Sequence, residues 1–366
     1  MAETIDWLSL NLVPGLGLHS YWRLIDRFGS PDVVLKSSRK DLLWVEGIRE
    51  KQIAGLFSRE DPYERGQHEL ERMSTFGAEV VTYDDSFYPP LLKQLIDPPP
   101  VLYVLGRKKL LLTQAVAMVG SRAATTYGQR VAFSFAGNLA DMGLTVISGL
   151  ALGIDAQSHA GALARGGNTI AVLGCGLDVV YPRQNKTLYE RLAEHGLLVS
   201  EYPLGTRPEG FRFPARNRII AGLSRGVVVV EAAKRSGSLI TAQMALDNNR
   251  EVFAVPGQVD SFKSEGAHYL LQQGAKLVQR VEDIVEEIGF ENVAALELDN
   301  KNGQQEESDL DPDVQSLLKH IDAYPQLRES LLEKSKMSPA RVSELLLFLE
   351  LDGLIEMLPG DMLRRV

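Results

Sequence analysis

The sequence predicts an α/β protein: an extended Rossmann-like, doubly wound parallel sheet, preceded by a helical module and followed by a winged helix. Three observations predict it. From about Val101 to Gly289, short β-branched runs alternate with stretches of helical spacing. Those runs are continuously apolar, as strands covered on both faces must be. The segments at either end carry helical periodicity instead. At 366 residues and 45% hydrophobic content, the chain can fill one sizeable core and still carry smaller domains at its ends.

The first segment, residues 1–85, alternates amphipathic stretches with short glycine turns. "LVPGLGLHSYWRLIDRFG" and "LLWVEGIREKQIAGLF" each set a glycine turn just before a helical stretch. They read as two helix-turn-helix units of a SAM or helix-hairpin-helix-like domain, related by an internal repeat. The turn Gly15-Leu16-Gly17 has the form that exposes amides to phosphate, and its second copy keeps Gly47 but has Arg49 in place of the other glycine. A packing module is favoured over direct phosphate contact.

Residues 86–290 hold the sheet. The expected strands are "VLYVL", "AVAMVG", "LTVIS", "TIAVLG", "LLVSE", "GVVVVE", "EVFAVPG" and "AKLV". Between them lie helical stretches such as "GQRVAFSFAGNLADMG", "GIDAQSHAGALARGG" and "SLITAQMALDNN". Ligands of such a sheet sit outside the carboxyl ends of its strands, in the turns leading into helices. Residues 291–311 are polar and acidic and read as a flexible linker. Residues 312–366 give three helical stretches, an apolar strand and a glycine turn, a winged-helix pattern. Ser338-Pro339 starts its last helix and Gly353 ends it. The wing carries Arg364 and Arg365, but the reading helix is short of basic residues, so protein contact is at least as well favoured as nucleic-acid reading.

Bulk composition narrows the class. The formal net charge is -9, against a general nucleic-acid sponge, although binding depends on where charges sit. Cys175 is the only cysteine, so neither an internal disulfide nor a cysteine-rich zinc site is available. No apolar stretch approaches the roughly 20 residues that cross a bilayer, and the start does not read as a signal peptide. The expectation is a soluble protein of a reducing, cytoplasmic compartment, with no membrane partner.

Chemistry concentrates in the strand-to-helix turns. Several of the turns "VGSRAATTYG", "SGLALGID", "GCGLDVVYPRQNKTLYE", "FPARNRIIAGLS" and "VEAAKRSGSLITA" place Gly and Ser at strand ends before helices. Such turns aim backbone amides and the positive end of a helix dipole at an anion, and small residues let a phosphate approach. Arg122, Arg216, Arg218, Lys234 and Arg235 add charge-assisted hydrogen bonds. Several such loops along one sheet edge suit a polymer better than a mononucleotide. The Gly-x-Gly-x-x-Gly fingerprint is missing, and so is a Gly-x-x-x-x-Gly-Lys-Ser/Thr loop, which demotes dinucleotides and triphosphates.

As a set, "GSR", "SGLALGIDAQSH", "GCGLDVVYPRQNKTLY", "FPARNRIIAGLS", "EAAKRSGSLITAQMAL", "VFAVPG" and "GAHYLLQQGAKLV" closely resemble the DNA-processing protein A family, also called DprA or Smf. The resemblance implies a non-catalytic protein that binds and protects single-stranded DNA, loads the RecA recombinase during natural transformation, and forms a homodimer. It implies a phosphate pocket of Gly120, Ser121 and Arg122 with Arg216 and Asn217, floored by Ser236, Gly237, Ser238 and Thr241 at a helix N-terminus. Lys186 would meet backbone phosphate, and Tyr189 would stack on a base or pack half-buried. The implied dimer contact runs from His268 through Leu271 to Leu277. No cofactor and no metal are expected.

Other roles weigh against these. Arg218 is expected to pair with Glu231. His159 and Asp155 lie one turn apart without a third metal ligand nearby, which favours capping or packing. Cys175 reads as merely small. A competing reading is a phosphoribohydrolase-like enzyme, but Gln243 stands near where the assisting glutamate would be. A third is an adaptor that recruits partners through its linker and winged helix. The recombinase surface is expected near Met244 to Arg250.

Overall fold

The computed structural model describes residues 2–290, 313–314, 317, 320–321, 326–335, 337–351, 355–358 and 361–365. The expected linker, 291–311, lies outside the described residues. The chain divides into two units, Met1–Glu291 and Asn292–Val366.

The first unit begins with helices α1 (Thr4–Asn11), α2 (Leu18–Phe28), α3 (Pro31–Lys36), α4 (Arg39–Leu43), α5 (Glu50–Ile53) and α6 (Pro62–Phe76). The internal repeat is visible in its turns. Gly15, between α1 and α2, has φ +83°, and Gly47, between α4 and α5, has φ +78°. Only glycine adopts that left-handed backbone without strain. The two hairpins abut: a Cβ on Gly15 would stand 3.0 Å from the Lys51 carbonyl oxygen, and one on Gly55 would stand 2.5 Å from that of Pro14. Trp7, Tyr21, Trp22 and Tyr83 form an aromatic cluster, and the Trp22 indole donates to Pro98 O at 2.8 Å. The module shares one apolar core with a face of the sheet, through Tyr103, Ala171 and Leu198.

The sheet has nine strands: β1 (Glu79–Thr82), β2 (Val101–Gly106), β3 (Ala115–Gly120), β4 (Thr145–Ser148), β5 (Thr169–Leu173), β6 (Leu197–Ser200), β7 (Gly226–Glu231), β8 (Glu251–Ala254) and β9 (Lys276–Leu277). Their order is β1-β2-β6-β5-β4-β3-β7-β8-β9. From β6 to β9 all neighbours run parallel, and β1–β2 and β2–β6 are antiparallel. The sheet is therefore mixed and parallel-dominated, and it begins at Glu79, before the expected boundary at 86. Helices α7 (Thr126–Asp141), α8 (Ile154–Ala164), α9 (Lys186–His195), α10 (Arg212–Leu223), α11 (Gly237–Asp247), α12 (Glu265–Gln272) and α13 (Glu282–Glu287) complete this unit. The chain steps outward from β3 to β4, β5 and β6, then returns to place β7 on the other side of β3. The β3/β7 junction is the topological switch point, where a crevice opens.

In the second unit, α14 (Arg328–Ser335) and α15 (Pro339–Leu351) precede a hairpin of β11 (Ile355–Leu358) and β12 (Met362–Arg365), with β10 (Gln326–Leu327) as third strand. Leu331, Val342, Leu345, Leu349, Ile355 and Leu363 are buried together. Helix, turn, helix and wing are those of a winged helix.

α7 and α8 approach closely enough to need a glycine. A Cβ on Gly161 would lie 2.1 Å from the Phe133 carbonyl oxygen. Gly161→Ala is expected to destabilise the protein by about 1–3 kcal/mol by forcing the helices apart, although alanine is the better helix former by ~1 kcal/mol. A thermal melt at or above the wild-type midpoint would refute the contact.

Candidate functional site

Beyond the carboxyl ends of β3, β4 and β7 lies a groove of about 850 Å³. Its lining includes Gly120, Ser121, Arg122, Ala151, Asp155, Tyr181, Phe213, Arg216, Asn217, Arg235, Ser236, Gly237, Ser238 and Thr241. Nine of the eleven expected DNA-binding positions thus meet in one place.

The loop after β3 is pinned from two sides. The Ser121 amide donates to Glu231 O at 2.7 Å, and the Ile154 amide donates to Ser121 O at 3.2 Å. Gly120 must be small, because a Cβ would meet Ile154 Cγ1 at 2.6 Å and Glu231 O at 2.8 Å. The loop leaves Arg122 exposed, with its guanidinium carbon 5.5 Å from the centre of the Phe213 ring. Arg122 forms no ion pair with any described carboxylate. On the opposite wall, Ser236 caps α11 by accepting from the Ser238 amide at 3.3 Å. Nothing lies within 4 Å of where a Gly237 Cβ would project, so that side of the helix start is open.

Arg216 lies deepest. It is only 4% exposed, and its Nη1 donates to Val172 O at the end of β5. The guanidinium lies flat against Gly149, where an added Cβ would stand 2.1 Å from Nη1. Its Nε is buried with no hydrogen-bond partner. Burial pulls its pKa below the usual arginine range, opposed by nearby Asp155, while Arg122 adds like-charge repulsion. Two guanidinium groups therefore converge with no ion pair between them and a carboxylate, an arrangement that an anion relieves. Asp155 accepts from the amides of Gly149 (3.1 Å) and Ala151 (3.4 Å); burial raises its pKa, opposed by Arg216 and by those amides.

Asn185 Nδ2 holds the same loop by donating to Leu150 O (2.9 Å) and Ala151 O (3.2 Å). Between these clamps Leu150 is held at φ 56°. Conformations of this kind persist only where the surroundings over-determine them.

Two expectations, on Tyr189 and Arg218, are corrected. Tyr189 is 7% exposed and its hydroxyl donates to Leu177 O, so its ring belongs to the core and offers no stacking face. Lys186 stands outside the groove lining, its side chain 70% exposed and 3.7 Å from Glu190 one turn on. Arg218 pairs with Glu201 and Asp97, whereas Glu231 accepts from the Thr125 amide and hydroxyl at the start of α7.

Tyr181 and Phe213, rather than a ring on α9, bring aromatic side chains to the groove. Their rings stack at 5.5 Å between centres and 28° between planes at the groove mouth. The available signal was the alternation of aromatic and arginine residues in "VVYPRQ" and "FRFPAR". Of the expected dimer residues, Leu277 is 46% exposed on the edge strand β9, Leu271 packs partly against the core, and His268 Nε2 lies 3.1 Å from Gly257 O.

Fold and groove first define a class: a doubly wound α/β protein with an arginine-lined groove at its switch point and a winged helix at its C-terminal end. The model of DNA recombination-mediator protein A matches residues 79–289 and that of the DprA winged helix domain matches 302–361, and the chain belongs to this DprA/Smf family. Protein Smf of Synechocystis sp. is 35% identical over 390 residues, covering 98% of each chain. Protein Smf of Escherichia coli is 42% identical over 287 residues, covering 78% of this chain and 77% of its own. The X-ray structure of DNA processing protein A from Streptococcus pneumoniae superposes with a TM-score of 0.71 at 37% identity, covering 80% of this chain and 100% of its own. A structure concerned with the single-stranded DNA binding mode of the Helicobacter pylori protein gives 0.53 at 32% identity, covering 58% of this chain and 95% of its own.

Behind the groove, His159 is fully buried, with Nδ1 2.7 Å from Thr169 Oγ1. The Thr169 hydroxyl donates to Val146 O at 2.8 Å, so Nδ1 carries the proton and Nε2 is left without a partner. Burial, helped by the charge of Arg216, pushes its pKa from 6.5 down to about 3. Above pH 6.5 both folded and unfolded chains are neutral at this residue, and its full contribution is present. Below that, the unfolded chain takes up a proton the folded one refuses, so stability falls toward pH 3. The unfolding free energy from denaturant titration should therefore fall between pH 7 and 5, by up to about 1.4 kcal/mol per pH unit from this residue. The fall should be shallower in His159→Gln, and equal slopes in the two proteins would count against it.

Proposed function

We propose that this chain is a non-catalytic single-stranded DNA-binding protein of the cytoplasm, which protects incoming strands and loads RecA onto them during natural transformation. One observation carries the binding reading: Arg122, Arg216 and Arg235 converge on the groove against one carboxylate, Asp155, beside small-residue loops and the Tyr181–Phe213 pair. Arginines and loop amides suit phosphate, and ring faces accept any base. A groove walled by several turns suits a continuous backbone. The solved Helicobacter relative, whose binding of single-stranded DNA was studied, adds support.

The competing enzyme reading needs a carboxylate at position 243. Gln243 is exposed and its amide donates to Asp247 at 2.8 Å, on the outer face of α11. RecA is the partner the family resemblance implies. Within the stretch 244–250, Leu246 is 50% exposed, while Arg250 is buried and bonded to Leu91 O and Gln94 Oε1. A recombinase contact there would therefore rest on the exposed side of α11. Self-association is proposed at β9, a short edge strand with an unpaired side and an exposed Leu277.

Titration by fluorescence anisotropy tests the binding. Single strands should bind more tightly than duplexes of equal length, with affinity falling steeply as salt rises. Arg122→Ala should weaken binding by about 1–3 kcal/mol with the fold intact, and an unchanged isotherm would remove the groove from the binding site. Leu277→Arg should place a charge in the self-contact and yield monomers. Light scattering that finds the mass of Leu277→Arg equal to that of wild type would sink the β9 interface.

A further inference from the structure

The groove mouth is followed, two residues before Phe213, by a second aromatic surface that the primary site does not use. Phe211 is 68% exposed, an unusual position for a large ring on a loop between structured elements. It is held open from beneath: the Arg212 guanidinium carbon lies 5.3 Å from the Phe211 ring centre and 5.1 Å from that of Tyr202. Arg212 is itself fixed, donating to Arg207 O at 3.3 Å and lying 3.5 Å from Glu209. Its Nε is buried without a hydrogen-bond partner. Arg207 is exposed and forms no ion pair with any described carboxylate.

We infer that Phe211 is a second base-stacking platform, and that the single strand leaves the groove over it with a phosphate beside Arg207. This rests on the proposed binding function and gives the strand a path. Three features select a nucleic-acid strand as the occupant. The platform is continuous with the groove through Gly210, which lines it. The cation beneath the ring fixes its plane and leaves the outer face free. The neighbouring unpaired charge, Arg207, is positive. A base laid on the ring covers an apolar face that water now wets, and stacking does not depend on base identity.

The test is a length series of oligothymidines titrated against wild type, Phe211→Ala, Phe211→Trp and Arg207→Ala. Because the ring is mostly exposed, its removal leaves the core intact. The shortest strands that occupy the groove should bind Phe211→Ala as they bind wild type, while long strands should lose about tenfold. Phe211→Trp should keep wild-type affinity for long strands, and its added indole emission should be quenched by long strands but not by short ones. Arg207→Ala should lower the salt slope for long strands by about 0.7. Equal affinities of Phe211→Ala and wild type at every length, or an equal loss at every length, would overturn the path. Binding that still depends on Arg122 under either of those outcomes leaves the function standing. Failure of wild type to bind any single strand removes both.

Discussion

The site is organised around a guanidinium held almost out of water. Burying an ion costs several kcal/mol unless partners replace its hydration. Arg216 finds only part of that replacement, in the Val172 carbonyl and the field of Asp155. Because the side chain crosses from α10 to the ends of β4 and β5, its position dictates those of its neighbours. Gly149 has to be bare, Leu150 is held in a left-handed conformation, and Asp155 and Asn185 clamp the loop between them. What remains unsatisfied, the Arg216 Nε and the repulsion from Arg122, is the capacity an anion completes.

This arrangement shows how a chain of net charge -9 can still hold a local cluster of cations. Fields are set by local geometry, and a low-dielectric wall strengthens the nearby cations. The acidic residues that balance other arginines lie elsewhere. Glu201 and Asp97 neutralise Arg218, and Glu190 lies beside Lys186. In the groove Asp155 makes no ion pair with the arginines and instead accepts from the backbone amides of Gly149 and Ala151.

The two ends of the sheet are treated differently. At one end, antiparallel β1 and β2 extend the sheet beneath the helical module, whose aromatic cluster covers that face. At the other, β9 has two residues and leaves Leu277 exposed. The helical module owes its form to the paired left-handed turns at Gly15 and Gly47, which pack the hairpins together.

The alternation of β-branched runs with helical spacing determined the doubly wound sheet, because strands covered on both faces must be continuously apolar. Gly and Ser at strand ends likewise pointed to the turns that wall the groove, since close approach to a phosphate requires small side chains, and the family resemblance named nine residues that line it. Side-chain direction was a different matter. A tyrosine on α9 and aromatics elsewhere look alike in one dimension, yet packing buries Tyr189, half-buries Phe213 and leaves Tyr181 and Phe211 exposed. Which acid each arginine meets also depended on distant segments: Arg218 reaches Glu201 and Asp97, while Glu231 serves the start of α7. Local pattern determined the elements and their turns, and only tertiary packing decided the partners, because ion pairs and ring faces are fixed by approach between segments far apart in the chain.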